Sequence, residues 1–121
     1  MEKLKVGIIG AGYIGKVHLE VLRLLLDVEI VAVAVRNNNF AREVAKKFNI
    51  PKIYNDAEEL INDNEIDVIH NCTPNNFHFD ISSKAIKAGK EVLSEKPLAL
   101  NSKESAELVE LAEKHNTVTG I

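Results

Sequence analysis

Lys5-Val6-Gly7-Ile8-Ile9-Gly10-Ala11-Gly12-Tyr13-Ile14-Gly15, close to the N-terminus, decides the fold. Val6, Ile8 and Ile9 read as a short buried strand that runs into Gly10-x-Gly12-x-x-Gly15. An amphipathic helix with apolar Ile14, Val17, Val21 and Leu24 at helical spacing follows. Gly10 suits the tight turn out of the strand, Gly12 lets backbone approach a pyrophosphate, and Gly15 lets helix pack closely on strand. The phosphates are expected on the free N–H groups and positive dipole end of a helix beginning near Tyr13, with Ala11 and Ile14 completing the loop. Standing alone, such a loop is equally a glycine-rich turn. A second strand at residues 30–35, one βαβ unit further on, favours dinucleotide binding.

Strand and helix patterns then alternate to the end of the chain. Residues 22–26 end the first helix at Asp27, and Glu29 opens the second strand, which is apolar on both faces as a covered parallel strand must be. Any of Asn37, Asn38 and Asn39 can cap a helix over 40–48, and a short strand at 52–54 follows Pro51. Asn55 with Glu58, or Asp56 with Glu59, forms a capping box for a small helix ending near Ile61. Residues 67–72 read as the fourth strand. Thr73-Pro74-Asn75-Asn76 breaks it and starts a helix running to Ala88, with Gly89 as its left-handed stop. Residues 91–93 form the fifth strand, Ser94-Glu95-Lys96-Pro97 leaves it, and Asn101 with Glu104 caps a last helix whose Leu108, Val109 and Ala112 face the core. Residues 118–121 form the sixth strand. Strict alternation predicts an α/β fold, a doubly wound six-stranded parallel sheet in the order 3-2-1-4-5-6. The glycine loop, Thr73-Pro74-Asn75 and Glu95-Lys96-Pro97 all then leave carboxyl ends of strands, where such sheets bind ligands.

The 121 residues make one domain, and a net charge of −3 with no basic stripe disfavours nucleic acid as a partner. No apolar run approaches the roughly 18 residues of a membrane span, and no leader pattern precedes the first strand. The single cysteine, Cys72, excludes an internal disulfide and any cysteine-cluster metal site, and the default location is the cytoplasm.

The ends of the cofactor are placed by elimination. An acidic residue is expected at the end of the second strand to hold a ribose 2′-hydroxyl, but Glu29 lies at the strand's beginning, roughly 23 Å away. Val35 and Arg36 occupy the required place. Arg36 suits a 2′-phosphate or stacks on adenine, against the alternative of a solvated surface arginine, so NADP is favoured slightly over NAD. Lys96, beside the expected nicotinamide, suits a role in stabilising a developing alkoxide, with Glu95 to orient it or to touch the ribose; alone, Glu-Lys-Pro is an ordinary turn. A cis Lys96-Pro97 bond is expected as a hypothesis. His78 faces either solvent or the cofactor edge. His18 and His115 read as helix-surface residues, His70 as core-adjacent, and Cys72 as a small buried hydrophobe rather than a nucleophile.

Gly10-Ala11-Gly12-Tyr13-Ile14-Gly15, Thr73-Pro74-Asn75 with His78, and the run Ala88-Gly89-Lys90-Glu91-Val92-Leu93-Ser94-Glu95-Lys96-Pro97-Leu98-Ala99 together resemble the N-terminal domain of the Gfo/Idh/MocA oxidoreductases. The resemblance covers essentially the whole chain. It implies an NAD(P)-dependent oxidoreductase acting on sugars, polyols or related hydroxy compounds. It also implies Lys96 as the catalytic residue near the nicotinamide, and Glu95, Thr73, Asn75 and His78 as lining the cofactor cleft. Many NAD-preferring members carry an acidic residue where Val35 stands, so the coenzyme is left open. Members continue into a second α/β domain that supplies the substrate pocket and a catalytic histidine, so this chain is expected to bind cofactor with little turnover alone. Competing readings are a non-catalytic NAD(P)-binding or sensing module, and homo-oligomerisation through a sheet edge or the face a second domain would cover.

Overall fold

The computed structural model describes residues 3–120. Six strands alternate with five helices: β1 (Leu4–Ile9), α1 (Tyr13–Leu22), β2 (Val28–Ala34), α2 (Asn38–Phe48), β3 (Lys52–Tyr54), α3 (Ala57–Ile61), β4 (Val68–Asn71), α4 (His78–Lys87), β5 (Glu91–Ser94), α5 (Ser102–Lys114) and β6 (Thr119–Gly120). All strands are parallel, in the order β3-β2-β1-β4-β5-β6. This is the doubly wound arrangement the alternation predicts.

The pleat of the sheet separates two cores. Val6 and Ile8 of β1 and Val33 of β2 pack with Leu19 and Leu22 of α1 and Val44, Ala45 and Phe48 of α2. Ile9, Ala32, Ala34 and Ile69 turn to the other side, against Leu60 and Ile61 of α3, Ile81, Ala85 and Ile86 of α4, and Leu108 of α5. Chain direction explains the division. Crossovers from β1 outward to β3 lay two helices on one face, and the return to β4 and onward lays three on the opposite one.

The caps resolve as side-chain chemistry dictates. Asn37 accepts from Phe40 N, Asp56 accepts from Glu58 N, and Asn101 accepts from Glu104 N while Glu104 reaches back to Leu100 N at 3.1 Å. Gly89 takes φ +80° immediately after α4 and its cap residue Ala88.

Several expectations need correction. Helix α1 stops at Leu22, four residues early, because β2 must start beside β1. Leu4 N donates to Asp27 O at 2.9 Å, and Leu4 pairs with Val28. Its buried face is Gly15, Leu19 and Leu22, whereas Ile14, Val17, Val21 and Leu24 are exposed. The helix carries two apolar stripes, and only the one containing Gly15 can come close to the sheet. In α5 Leu108 is buried but Val109 is exposed. A 3₁₀ turn, Asn75–Phe77, precedes α4, and β6 covers only Thr119–Gly120, with Ile121 outside the described residues.

Candidate functional site

The sheet ladder continues one residue beyond each central strand. Gly10 N donates to Ala34 O (3.0 Å), Val35 N to Tyr54 O (3.2 Å), Cys72 N to Ile9 O (2.9 Å) and Glu95 N to Asn71 O (3.0 Å). The four loops therefore leave the sheet in one row. Arg36 after β2 and Lys96 after β5 stand three strand spacings apart, about 14 Å. The glycine loop, the Thr73 loop and the Lys96 turn share one rim.

The three loop glycines face different surroundings. At Gly10 φ is +87°, and a Cβ there would lie 2.5 Å from the Cys72 carbonyl oxygen, so this turn admits only glycine. At Gly15 a Cβ would lie 2.3 Å from Gly10 O, so α1 closes directly onto the loop. At Gly12, the N-cap of α1, an added Cβ would meet nothing within 4 Å, and no side chain caps the helix. The first N–H groups of α1, at Tyr13, Ile14 and Gly15, thus stand beside open space with no cap to satisfy them.

A cavity of about 390 Å³ opens between the ends of β1, β2 and β4, lined by Gly10, Val35, Arg36, Thr73, Pro74 and Phe77 among others. The Arg36 guanidinium lies over the Phe77 ring, 4.9 Å from its centroid. The cavity also carries Asp56, Glu58, Asp80 and Lys84. Lys84 engages Glu58 at 2.6 Å and Asp80 at 3.2 Å. Arg36 pairs with no carboxylate among the described residues, which leaves its guanidinium able to meet an anion.

Asn71, fully buried at the end of β4, shapes the Thr73 loop. Its Oδ1 accepts from Thr73 Oγ1 at 2.6 Å, and its Nδ2 donates to His78 O and Ser82 Oγ. His78 does not face solvent. It is 1 % exposed, with Nδ1 2.5 Å from Pro97 O and Nε2 2.7 Å from Thr73 O, so it joins the two loops from beneath. Asn75 is exposed at the start of the 3₁₀ turn, and Lys96 is exposed at the rim, followed by a cis Lys96-Pro97 bond.

His18 is likewise not a surface residue. Its Nε2 lies 2.6 Å from Glu95 Oε1 and its Nδ1 lies 2.9 Å from His70 Nδ1, the rings meeting edge to face. The His18 hydrogen bond is the largest influence holding the Glu95 carboxyl below its ordinary range. Burial first, and His18 second, push His70 down to about 4, so it is neutral at physiological pH. Burial and, secondarily, Glu95 push the Cys72 thiol up to about 12, which accords with an inert thiol. Helical phase was the available signal for His18, since it lies one turn after Gly15 on the face that must approach the sheet.

No group of three or more potential metal ligands occurs among the described residues, and no helix there is long and apolar enough to cross a membrane. Residues 4–121 match the GFO_IDH_MocA family model, an oxidoreductase family with an NAD-binding Rossmann fold. The chain is 32% identical over 115 residues to myo-inositol 2-dehydrogenase of Thermotoga maritima, an alignment covering 95% of this chain and 34% of that protein. It is 42% identical over 108 residues to trans-1,2-dihydrobenzene-1,2-diol dehydrogenase of Mus musculus, covering 88% and 32%. The solved structure of biliverdin reductase from Synechocystis sp. PCC 6803, in complex with biliverdin and NADP+, superposes with a TM-score of 0.92 at 31% identity, over 97% of this chain and 37% of that one. The chain spans about a third of the length of the curated relatives it matches.

Proposed function

The chain belongs to the Gfo/Idh/MocA oxidoreductase family, and we propose that it is the cofactor half of a hydroxy-compound dehydrogenase, gripping a nicotinamide dinucleotide along the rim of its sheet. The observation that carries this reading is the contrast between the glycines: Gly10 and Gly15 are blocked by protein, and Gly12 alone opens onto empty space beside a helix start. A pyrophosphate placed there meets the α1 N–H groups and the helix dipole with no Cβ between them.

The cofactor, when bound, supplies the hydride acceptor or donor; the chain's own residues bind, orient and polarise. Thr73 and Pro74 border the middle of the site, with Asn75 exposed beside them, and the cavity beside Arg36 receives the adenosine. Arg36, held over Phe77 next to Val35, where an acidic residue would select the 2′-hydroxyl, inclines the site toward a 2′-phosphate and hence NADP. Lys96 stands beside the nicotinamide end, where an ammonium donates to a substrate hydroxyl and stabilises charge growing on its oxygen. Glu95 orients the turn or meets the ribose, and His78 acts from below by fixing Pro97 and Thr73. Polyol and diol substrates are supported by the relatives named for myo-inositol and dihydrobenzene-diol, and the substrate pocket is assigned to sequence beyond this chain's third of such proteins.

Titration with NADH and NADPH, followed by nicotinamide fluorescence, tests the reading. The chain has no tryptophan, so the signal is free of indole emission. Saturable binding of at least one nucleotide, tighter for NADPH, is the expected result. Indifference to both would overturn the cofactor assignment, and tighter NADH binding would overturn the role given to Arg36.

A further inference from the structure

Three residues far apart in sequence form one hydrogen-bonded chain beneath the rim: His70 on β4, His18 on α1 and Glu95 after β5. An ionised carboxylate only accepts, so His18 Nε2 donates to Glu95 Oε1. Between His70 Nδ1 and His18 Nδ1, one ring nitrogen donates and the other accepts. Both contacts are short and sheltered, the side chains of His18 and Glu95 being 14% and 30% exposed. After burial, the Glu95 charge also raises Cys72, and after His18 the Lys96 backbone N–H and His78 help hold the Glu95 carboxyl low.

We propose that His18 is a positioning residue of the cofactor site, tying the helix that opens the glycine loop to the turn that carries Lys96. This rests on the reading of both as parts of one dinucleotide site. Gly15 makes the tie feasible. Its missing side chain lets α1 settle against Gly10 O, and His18, one turn later on the same face, reaches across to β4 and β5. Phosphates at the start of α1 and a nicotinamide beside Lys96 belong to one ligand, so the separation of these two elements sets whether both ends are gripped together. Small displacements of such groups weaken binding and chemistry steeply. Without His18, the Glu95 side chain loses that partner, and the turn is left with Glu95 N on Asn71 O, Ser94 Oγ on Glu95 O and Pro97 O on the His78 ring.

NADH affinity in His18→Ala, His18→Gln, Glu95→Gln and His18→Ala/Glu95→Gln, with thermal melts in parallel, provides the test. Glutamine at position 18 offers an amide N–H to Glu95 and an amide oxygen to His70. His18→Ala is expected to weaken NADH about 10-fold, the scale of one lost charge-assisted hydrogen bond. His18→Gln should restore affinity to within about 3-fold, and the losses of His18→Ala and Glu95→Gln should not add. Wild-type affinity in His18→Ala, or additive losses, would overturn the proposal. Failure of the wild-type chain itself to bind would instead fault the cofactor reading. Should His18→Ala not fold, imidazole ¹⁵N spectra of the wild-type protein decide: a proton on His18 Nε2 is required, and an unprotonated Nε2 excludes the tie.

Discussion

Replacing Gly12 with alanine separates cofactor binding from folding. Gly12 has φ −70° and ψ −158°, an extended conformation open to any residue, and an added Cβ meets nothing within 4 Å. Two effects on folding oppose each other. Reduced freedom of the unfolded chain stabilises by about 0.4–1 kcal/mol, and alanine caps a helix less well than glycine by a similar amount. The net change is expected within about 0.5 kcal/mol, or about 2 °C in Tm for a chain of this size. Binding has no such cancellation. The methyl group occupies the approach to the α1 N–H groups, and loss of even one charge-assisted bond, worth about 1.5–3 kcal/mol, weakens affinity by roughly 10- to 100-fold. Circular dichroism melts beside NADH and NADPH fluorescence titrations measure both quantities on one sample. A Gly12→Ala protein that melts normally and binds like the parent refutes the placement of the phosphates. One that unfolds refutes the claim that the space is empty.

Gly15→Ala should behave oppositely: its Cβ would lie 2.3 Å from Gly10 O, so overpacking on the order of 1–3 kcal/mol outweighs the usual helical preference for alanine, and Tm should drop by roughly 4–12 °C. A rise in Tm would contradict the close packing of α1 on the loop. Arg36→Ala should lower NADPH affinity by roughly 10-fold or more while leaving NADH within about 2-fold, and an unchanged ratio in paired titrations removes the phosphate role. The Tyr54 hydroxyl, then Lys52 and Glu65 N, hold the Asp63 carboxyl at about 2, below its ordinary 3.8. Its folded value is depressed, so this stability is fully present above pH 3.8 and is lost as pH falls through about 2. The loss is at most about 2.5 kcal/mol, reduced by solvent around Lys52. Asp63→Asn should remove that part of the acid dependence in pH-dependent melts, and an unchanged acid profile would show the contacts to be inconsequential. With its thiol pushed up to about 12, half-buried Cys72 should react with a disulfide reagent at pH 8 at least about 100-fold more slowly in the native than in the unfolded chain, and equal rates would contradict that shift.

Period and punctuation in the sequence were sufficient for the order of elements and the sheet. Alternation of apolar runs with helical spacing implies parallel strands, handedness restricts the crossovers, and Asn101 with Glu104 marks a helix start from local chemistry alone. The common rim followed, because the motif loops all leave carboxyl ends of parallel strands. Only the tertiary structure decided which of two apolar stripes on α1 is buried. Ile14, Val17 and Val21 match the helical period as well as Leu19 and Leu22, but Gly15 lets just one side meet the sheet. It also turned His78 inward onto Thr73 O and Pro97 O, and brought His18 to His70 and Glu95, which are 52 and 77 residues away. Helical and strand periods encode which way a side chain points along its own element. Which distant group it meets depends on strand register and the closeness of helix to sheet, quantities set only when the whole domain packs.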